Sequence, residues 1–166
     1  MSPRGPDAAF DEALLLIGRL NYSWTNTESL LVHLIAGLAR TDKETAVILF
    51  LTLNTMRARV DLVDRLAKLD RVAAEERKRV LAATRRLVTL SAARNRYNHS
   101  IYAFDPESGN VRTILMRIAD RKDEIRVGRT TNLDQQARDE IGAAIVEISE
   151  LNRELWSIIR DFNYPS

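Results

Sequence analysis

A chain of 166 residues amounts to a single domain and is long enough to bury a core. It contains no cysteine, which excludes disulfides, zinc–thiolate sites and thiol chemistry, and no apolar run reaches the roughly 18 residues of a membrane span. The net charge is only +2, but it is uneven: residues 1–56 carry 4 Lys/Arg against 6 Asp/Glu, residues 77–129 carry 13 against 5, and residues 130–166 carry 3 against 7.

The basic middle segment favours an anionic partner such as nucleic acid. The plain alternative is an Arg-rich helix surface, because 21 of the 25 basic residues are Arg. The N-terminal Met-Ser-Pro-Arg-Gly-Pro reads as a flexible lead and not a signal peptide, since no apolar stretch follows a basic start. A cytoplasmic location with no membrane partner is the resulting expectation.

The chain reads as one domain over residues 1–166. Three long helices over 7–100 are followed by a β-meander over 101–130 and a last helix over 131–163. Asp7 is placed as the first N-cap. The first stripe runs Phe10, Leu14, Ile17, Trp24, Leu31, Ile35, Leu38, in steps that hold one face. Glu28 lies in this stripe, and a buried carboxylate needs a partner. It is either a rim residue or a support for an arginine on another helix. His33 falls off the stripe and is expected at the surface or an edge.

Thr41-Asp42-Lys43-Glu44 fits a capping box with Thr41 as cap, opening a second helix that runs to about Leu69. Ala46 to Leu53 is apolar nearly all round, which predicts a central position or a subunit interface. A third helix starts near Ala73 and carries Val80, Leu81, Leu87 and Val88.

The period changes after Ser100. Ile101–Phe104, Val111–Ile118 and Glu124–Arg129 read as three short antiparallel strands, with turns at Asp105–Asn110 and Ala119–Asp123. Ile114, Met116 and Ile118 should share one side. Thr131 or Asn132 caps the last helix, whose stripe runs Ala137, Ile141, Ala144, Ile148, Leu151, Leu155, Ile158, Phe162. The fold class is therefore mainly α: a four-helix bundle with a small antiparallel β-meander inserted before the last helix.

The third helix leads into Arg94-Asn95-Arg96-Tyr97-Asn98-His99, with Tyr102 three residues on. On an ideal helix Arg94 and His99 lie about 140° apart. They can converge on one atom only if the helix ends between them or a second copy faces the first across a two-fold axis. The extended pattern from Ser100 supports the first option.

An Arg followed by a polar residue and then by His four to six residues later, near the end of a long bundle helix and before the last helix, resembles the motif of the HEPN superfamily (higher eukaryotes and prokaryotes nucleotide-binding domains). The four-residue form fits Arg94 to His99, and the helical pattern over roughly 7–163 is similar as well. The resemblance implies a homodimer with two motifs pooled in a cleft and metal-independent cleavage of RNA. It also implies a toxin or defence component that can be paired with an antitoxin protein. In some HEPN toxins a tyrosine two residues after the His is modified; Tyr102 stands three after His99, so that feature does not carry over. The three-strand insertion has no counterpart in the resemblance.

The chemistry this implies is attack of a ribose 2′-OH on the adjacent phosphorus. His99 is then the proton-transfer group, since a histidine's ordinary pKa of about 6.5 lets it act at neutral pH. Arg94 stabilises the phosphate, and Asn95 holds the imidazole or a phosphate oxygen. Arg96, Tyr97, Asn98 and Tyr102 are assigned to substrate binding by guiding or stacking RNA. One His per chain is thin for both acid and base roles, a physical reason to expect a shared site.

The alternative is a non-catalytic helical module that binds RNA or a protein. In that reading Arg94, Arg96 and His99 favour the dipole and cap carbonyls of a helix end, and Asn98 makes a left-handed turn. No cofactor or metal is expected: two distant His residues and no acidic cluster make a poor ligand set, and no Gly-rich phosphate loop is present.

Overall fold

The computed structural model describes residues 6–105, 110–121 and 123–166. Of the expected lead Met1–Pro6, residues 1–5 lie outside the described residues, as does the centre of the first predicted turn, 106–109, while Pro6 already belongs to a helix. Six helical segments and three strands follow in the order α1 (Pro6–Ser29), α2 (Leu31–Ala39), α3 (Lys43–Thr52), α4 (Met56–Ala67), α5 (Ala74–Asn98), β1 (Ser100–Asp105), β2 (Asn110–Arg121), β3 (Glu124–Asn132) and α6 (Gln135–Asp161). The chain is thus mainly helical, with a small antiparallel sheet before the last helix. It divides into two compact units, one of residues 1–22 and 92–145, the other of 23–91 and 146–166. Among the described residues no helix is long and apolar enough to cross a membrane.

The 23–91 and 146–166 unit is helical. Its interior holds Trp24, Leu31, Leu34, Ile35, Leu151 and Ile158, each essentially inaccessible. The first predicted helix is here divided at Leu30, because Ser and Thr side chains compete for its backbone. Thr27 Oγ1 donates to Ser23 O and Ser29 Oγ to Asn26 O, and the next turn tightens to Leu30 N–Thr27 O and His33 N–Leu30 O bonds. His33 is not at the surface as its position off the stripe suggested. It is buried, with Nδ1 2.7 Å from Pro165 O and its ring 5.4 Å from that of Trp156.

The second predicted helix is also two. Asp42, not Thr41, caps α3 by accepting from Thr45 N at 2.8 Å, and Thr55 caps α4 by accepting from Ala58 N. Between them Leu53 is extended. Arg59 holds the break: its Nε donates to Phe50 O and Leu53 O at 3.0 and 2.9 Å, taking up carbonyls that α3 leaves free. The apolar run is not central. Ala46 is the only residue of α3 that is buried, whereas Ile48 and Leu51 are 61% and 63% exposed. The expected central position is therefore overturned: Ala46 alone of this helix enters the core.

The unit of residues 1–22 and 92–145 carries the sheet, in the order β1-β2-β3. Strands run longer than predicted: β2 continues through Arg121 where a turn from Ala119 was expected, with Ala119, Asp120 and Arg121 paired to Arg126, Ile125 and Glu124. Ser100 pairs with Leu115 and Leu115 with Arg129; Tyr102 pairs with Thr113 and Thr113 with Thr131. Cross-strand partners share a face and so do residues two apart. One face therefore carries Ser100, Tyr102, Thr113, Leu115, Arg129 and Thr131. A register shift follows between Leu115 and Ile118, and the predicted grouping of Met116 with Ile118 lies outside the described side chains. The last helix begins later than predicted, since Asp134 and not Thr131 or Asn132 accepts from Ala137 N. Asp7 lies inside the first turn of α1, which opens at Pro6, a favoured first helical residue.

Gly37 and Gly18 are both helical glycines with different roles. A Cβ at Gly37 would stand 2.1 Å from Tyr164 Cδ1, while one at Gly18 meets nothing within 4 Å. Gly37→Ala must displace the Tyr164 ring, whose hydroxyl donates to Glu76 at 2.6 Å, and is expected to cost about 1–3 kcal/mol by overpacking. Gly18→Ala is expected to stabilise by up to about 1 kcal/mol through helix propensity. Urea unfolding of the two variants should move the midpoint in opposite directions.

Candidate functional site

The Arg94–His99 stretch occupies the final turn of α5 and the first residue beyond it. The helix ends at Asn98, between Arg94 and His99, although His99 N still donates to Asn95 O at 3.3 Å in the helical pattern. The backbone is thus helical up to His99 N, and on an ideal helix the two residues lie about 140° apart. The helix end between them that the sequence pattern suggested is present, at the last position before His99.

A helix end leaves carbonyls in need of donors. Here Arg96 O accepts from Ser100 Oγ at 2.6 Å, and Tyr97 O accepts from the hydroxyl of Tyr102. Both donors come from β1, so the strand closes the helix that precedes it. Capping by the Arg94, Arg96 and His99 side chains is not what closes these carbonyls. Asn98 does not supply a left-handed turn either: among the described residues the positive-φ positions other than glycine are Arg40 and Asn163.

The predicted site residues separate by environment. His99, Asn95, Arg96 and Asn98 are exposed, and Arg94 is half-buried. Arg94 Nη1 donates to Asn95 Oδ1 at 3.0 Å, so Asn95 holds the guanidinium, where the sequence had suggested the imidazole or a phosphate oxygen. Arg96 lies over the Tyr97 ring at 5.5 Å and reaches Glu140 at 3.7 Å.

Two of the predicted RNA-contacting aromatics are committed elsewhere. Tyr97 is 4% exposed, its hydroxyl has no hydrogen-bond partner among the described residues, and its ring is a packing element rather than a surface for stacking bases. Burial raises its pKa, partly offset by the Arg96 cation and reinforced by Glu140 and Asp134. Tyr102 is half-buried with its hydroxyl on Tyr97 O. Burial, and then the neighbouring Tyr97 hydroxyl, push its pKa up to about 12.

Glu28 belongs to the helical unit and is buried, not at a rim. Its Oε2 accepts from Trp24 Nε1 at 2.8 Å and its Oε1 from Arg59 Nη1 at 2.7 Å. It does support an arginine on another helix, but the arginine is Arg59, whose guanidinium also lies 3.9 Å over the Phe50 ring. Its role there is to anchor the α3–α4 break.

Sequence reasoning missed Arg129, Thr113, Thr131 and Ser100. With Arg96 and Leu115 they line a pocket of about 230 Å³ against the end of α5. Their shared strand parity was present in the sequence, but the register that brings the rows together was not. No group of three or more His, Cys, Asp or Glu that could hold a metal ion comes together among the described residues.

Tyr102→Phe removes the bond that ties β1 to the end of α5. It is expected to lower stability at pH 7 by about 0.5–1.5 kcal/mol. A tyrosine ionising near 10 when unfolded and near 12 when folded contributes stability that is present below pH 10 and lost as the pH rises from 10 toward 12. The variant should therefore lose less stability than the wild type over that interval, as read by circular dichroism during alkaline unfolding.

Comparison with known proteins yields no match: no family model fits the chain, and no curated protein and no solved structure matches it.

Proposed function

We propose that the protein is a metal-independent endoribonuclease of HEPN type, acting as a homodimer through the Arg94–His99 stretch. The observation that carries this reading is the way α5 ends. Ser100 and Tyr102 satisfy the carbonyls, and the His99 imidazole is exposed and makes no hydrogen bond to a described residue. An imidazole that the fold does not use, one helical turn from a guanidinium held by Asn95, is available for chemistry on a ligand.

The reaction is transfer of the phosphorus from one sugar oxygen to another. The ribose 2′-OH loses its proton and forms a bond to the adjacent phosphorus, and the bond to the 5′-oxygen breaks. That oxygen takes up a proton, leaving a 2′,3′-cyclic phosphate and a 5′-hydroxyl. His99 moves a proton at one or both steps. Arg94 neutralises the charge that grows on the non-bridging oxygens. With Arg94 and His99 about 140° apart on ideal helical geometry, Arg94 of one copy works with His99 of the other in this reading, and two copies supply two imidazoles, one for each proton transfer. A role as a toxin or defence component held in check by an antitoxin protein is consistent with such an activity.

Cleavage of a labelled single-stranded RNA in EDTA is the expected result for the wild type, with cyclic phosphate ends. His99→Ala and Arg94→Ala should each reduce the rate by at least about 100-fold, with unfolding midpoints close to wild type for His99→Ala because its side chain is exposed. RNA that is bound but left intact by the wild type would instead support a non-catalytic binding module.

A further inference from the structure

We infer that the pocket between the end of α5 and the sheet, lined by Arg96, Ser100, Thr113, Leu115, Arg129 and Thr131, binds a phosphate of an RNA strand. This rests on the proposed function for the identity of the ligand, though not for the oxyanion chemistry. The pocket measures about 230 Å³, below the usual range of small-molecule sites and suited to a group the size of a phosphate.

Its charge is set by two guanidiniums. Arg129 is exposed and has no carboxylate partner among the described residues. Arg96 has Glu140, but at 3.7 Å with both side chains about half exposed, a contact of little energy that a phosphate can replace. The hydroxyls complete the lining. Thr113 is 5% exposed and its Oγ1 donates to Thr131 O across a long 3.2 Å. The Ser100 hydrogen is engaged on Arg96 O, so toward the pocket Ser100 offers an acceptor, which a ribose hydroxyl can use. Two guanidinium forks with the Thr131 hydroxyl beside them around one small volume are a usual means of fixing a phosphate.

The sequence adjacency matters as much as the composition. Arg96 lies between Arg94 and His99, so a phosphate held here fixes the register of the strand relative to the stretch that carries the proposed chemistry. The other face of the sheet carries Ile101, Ile114 and Thr130 in one row and Ala103, Arg112 and Asn132 in the next, where Arg112 lies 3.7 Å from Asp105.

The test uses the full chain carrying His99→Ala, which keeps the RNA intact. Fluorescence anisotropy of a labelled single-stranded RNA is measured against salt for this protein with and without Arg129→Gln, Thr131→Val or, as a control of equal charge change, Arg57→Gln. Arg129→Gln should weaken binding several-fold and lower the magnitude of the salt slope by about 0.7, one phosphate contact on a single strand. Thr131→Val should weaken binding at unchanged charge, Arg57→Gln should have little effect, and inorganic phosphate should compete. Equal losses for Arg129→Gln and Arg57→Gln, or no loss for Arg129→Gln, would overturn the pocket whether or not the wild type cleaves RNA. Calorimetric binding of inorganic phosphate that needs Arg129, without RNA binding, would overturn RNA as the source of the phosphate. RNA binding that needs Arg129 in a protein that never cleaves would support the pocket and count against the catalytic reading alone.

Discussion

A helix must find donors for its last carbonyls, and the way α5 does so determines what the Arg94–His99 stretch is free to do. Ser100 and Tyr102, the first and third residues of β1, reach back to Arg96 O and Tyr97 O. The same two bonds end the helix, start the strand and set its direction. Because the donors come from the strand, the exposed polar side chains of the last helical turn are not needed as caps. Had His99 or Asn98 closed the helix, their presence would be explained by the fold. As it stands the fold explains Tyr97 and Tyr102 and leaves the imidazole of His99 in solvent.

That arrangement constrains the chemistry too. Helical hydrogen bonding that reaches His99 N sets Arg94 and His99 about 140° apart on ideal geometry. In the proposed reaction a second copy would bring a guanidinium and an imidazole to one phosphate without unwinding the turn that Ser100 and Tyr102 hold. The exposed apolar chains of α3, Ile48 and Leu51 above all, are a separate feature of the helical unit.

Much of the fold was legible because burial imposes periodicity. Ile141, Ile148, Leu151 and Leu155 repeat at helical spacing and are all buried. The change of pattern after Ser100 marks the start of β1 to within one residue. The helix breaks were less legible. An apolar stripe passes through Leu30 without interruption, and only the local competition of Thr27 and Ser29 for backbone acceptors divides it. The α3–α4 break had a sequence signal in Asn54-Thr55, a polar cap pair inside an apolar run, but its stabilisation by Arg59 comes from a residue one turn into the next helix. His33 was misplaced because its partners, Pro165 O and Trp156, are more than a hundred residues away in the chain. The candidate site divides in the same way. Exposure of His99 and Asn98 could be anticipated from a basic helix end, whereas the alignment of Arg129 with Ser100 follows from strand register. Register depends on pairings no single strand reveals.

The most direct measurement is a mixing experiment on RNA cleavage with the Arg94→Ala and His99→Ala proteins. Each is inactive alone if both side chains are required. After the two are mixed and their subunits allowed to exchange, mixed dimers contain one intact Arg94 and one intact His99, on opposite copies. A site shared between chains predicts that cleavage with cyclic phosphate ends returns to a fraction of the wild-type rate. Mixed dimers that form but remain inactive, or a wild-type monomer that cleaves at full rate at concentrations where no dimer exists, would contradict it.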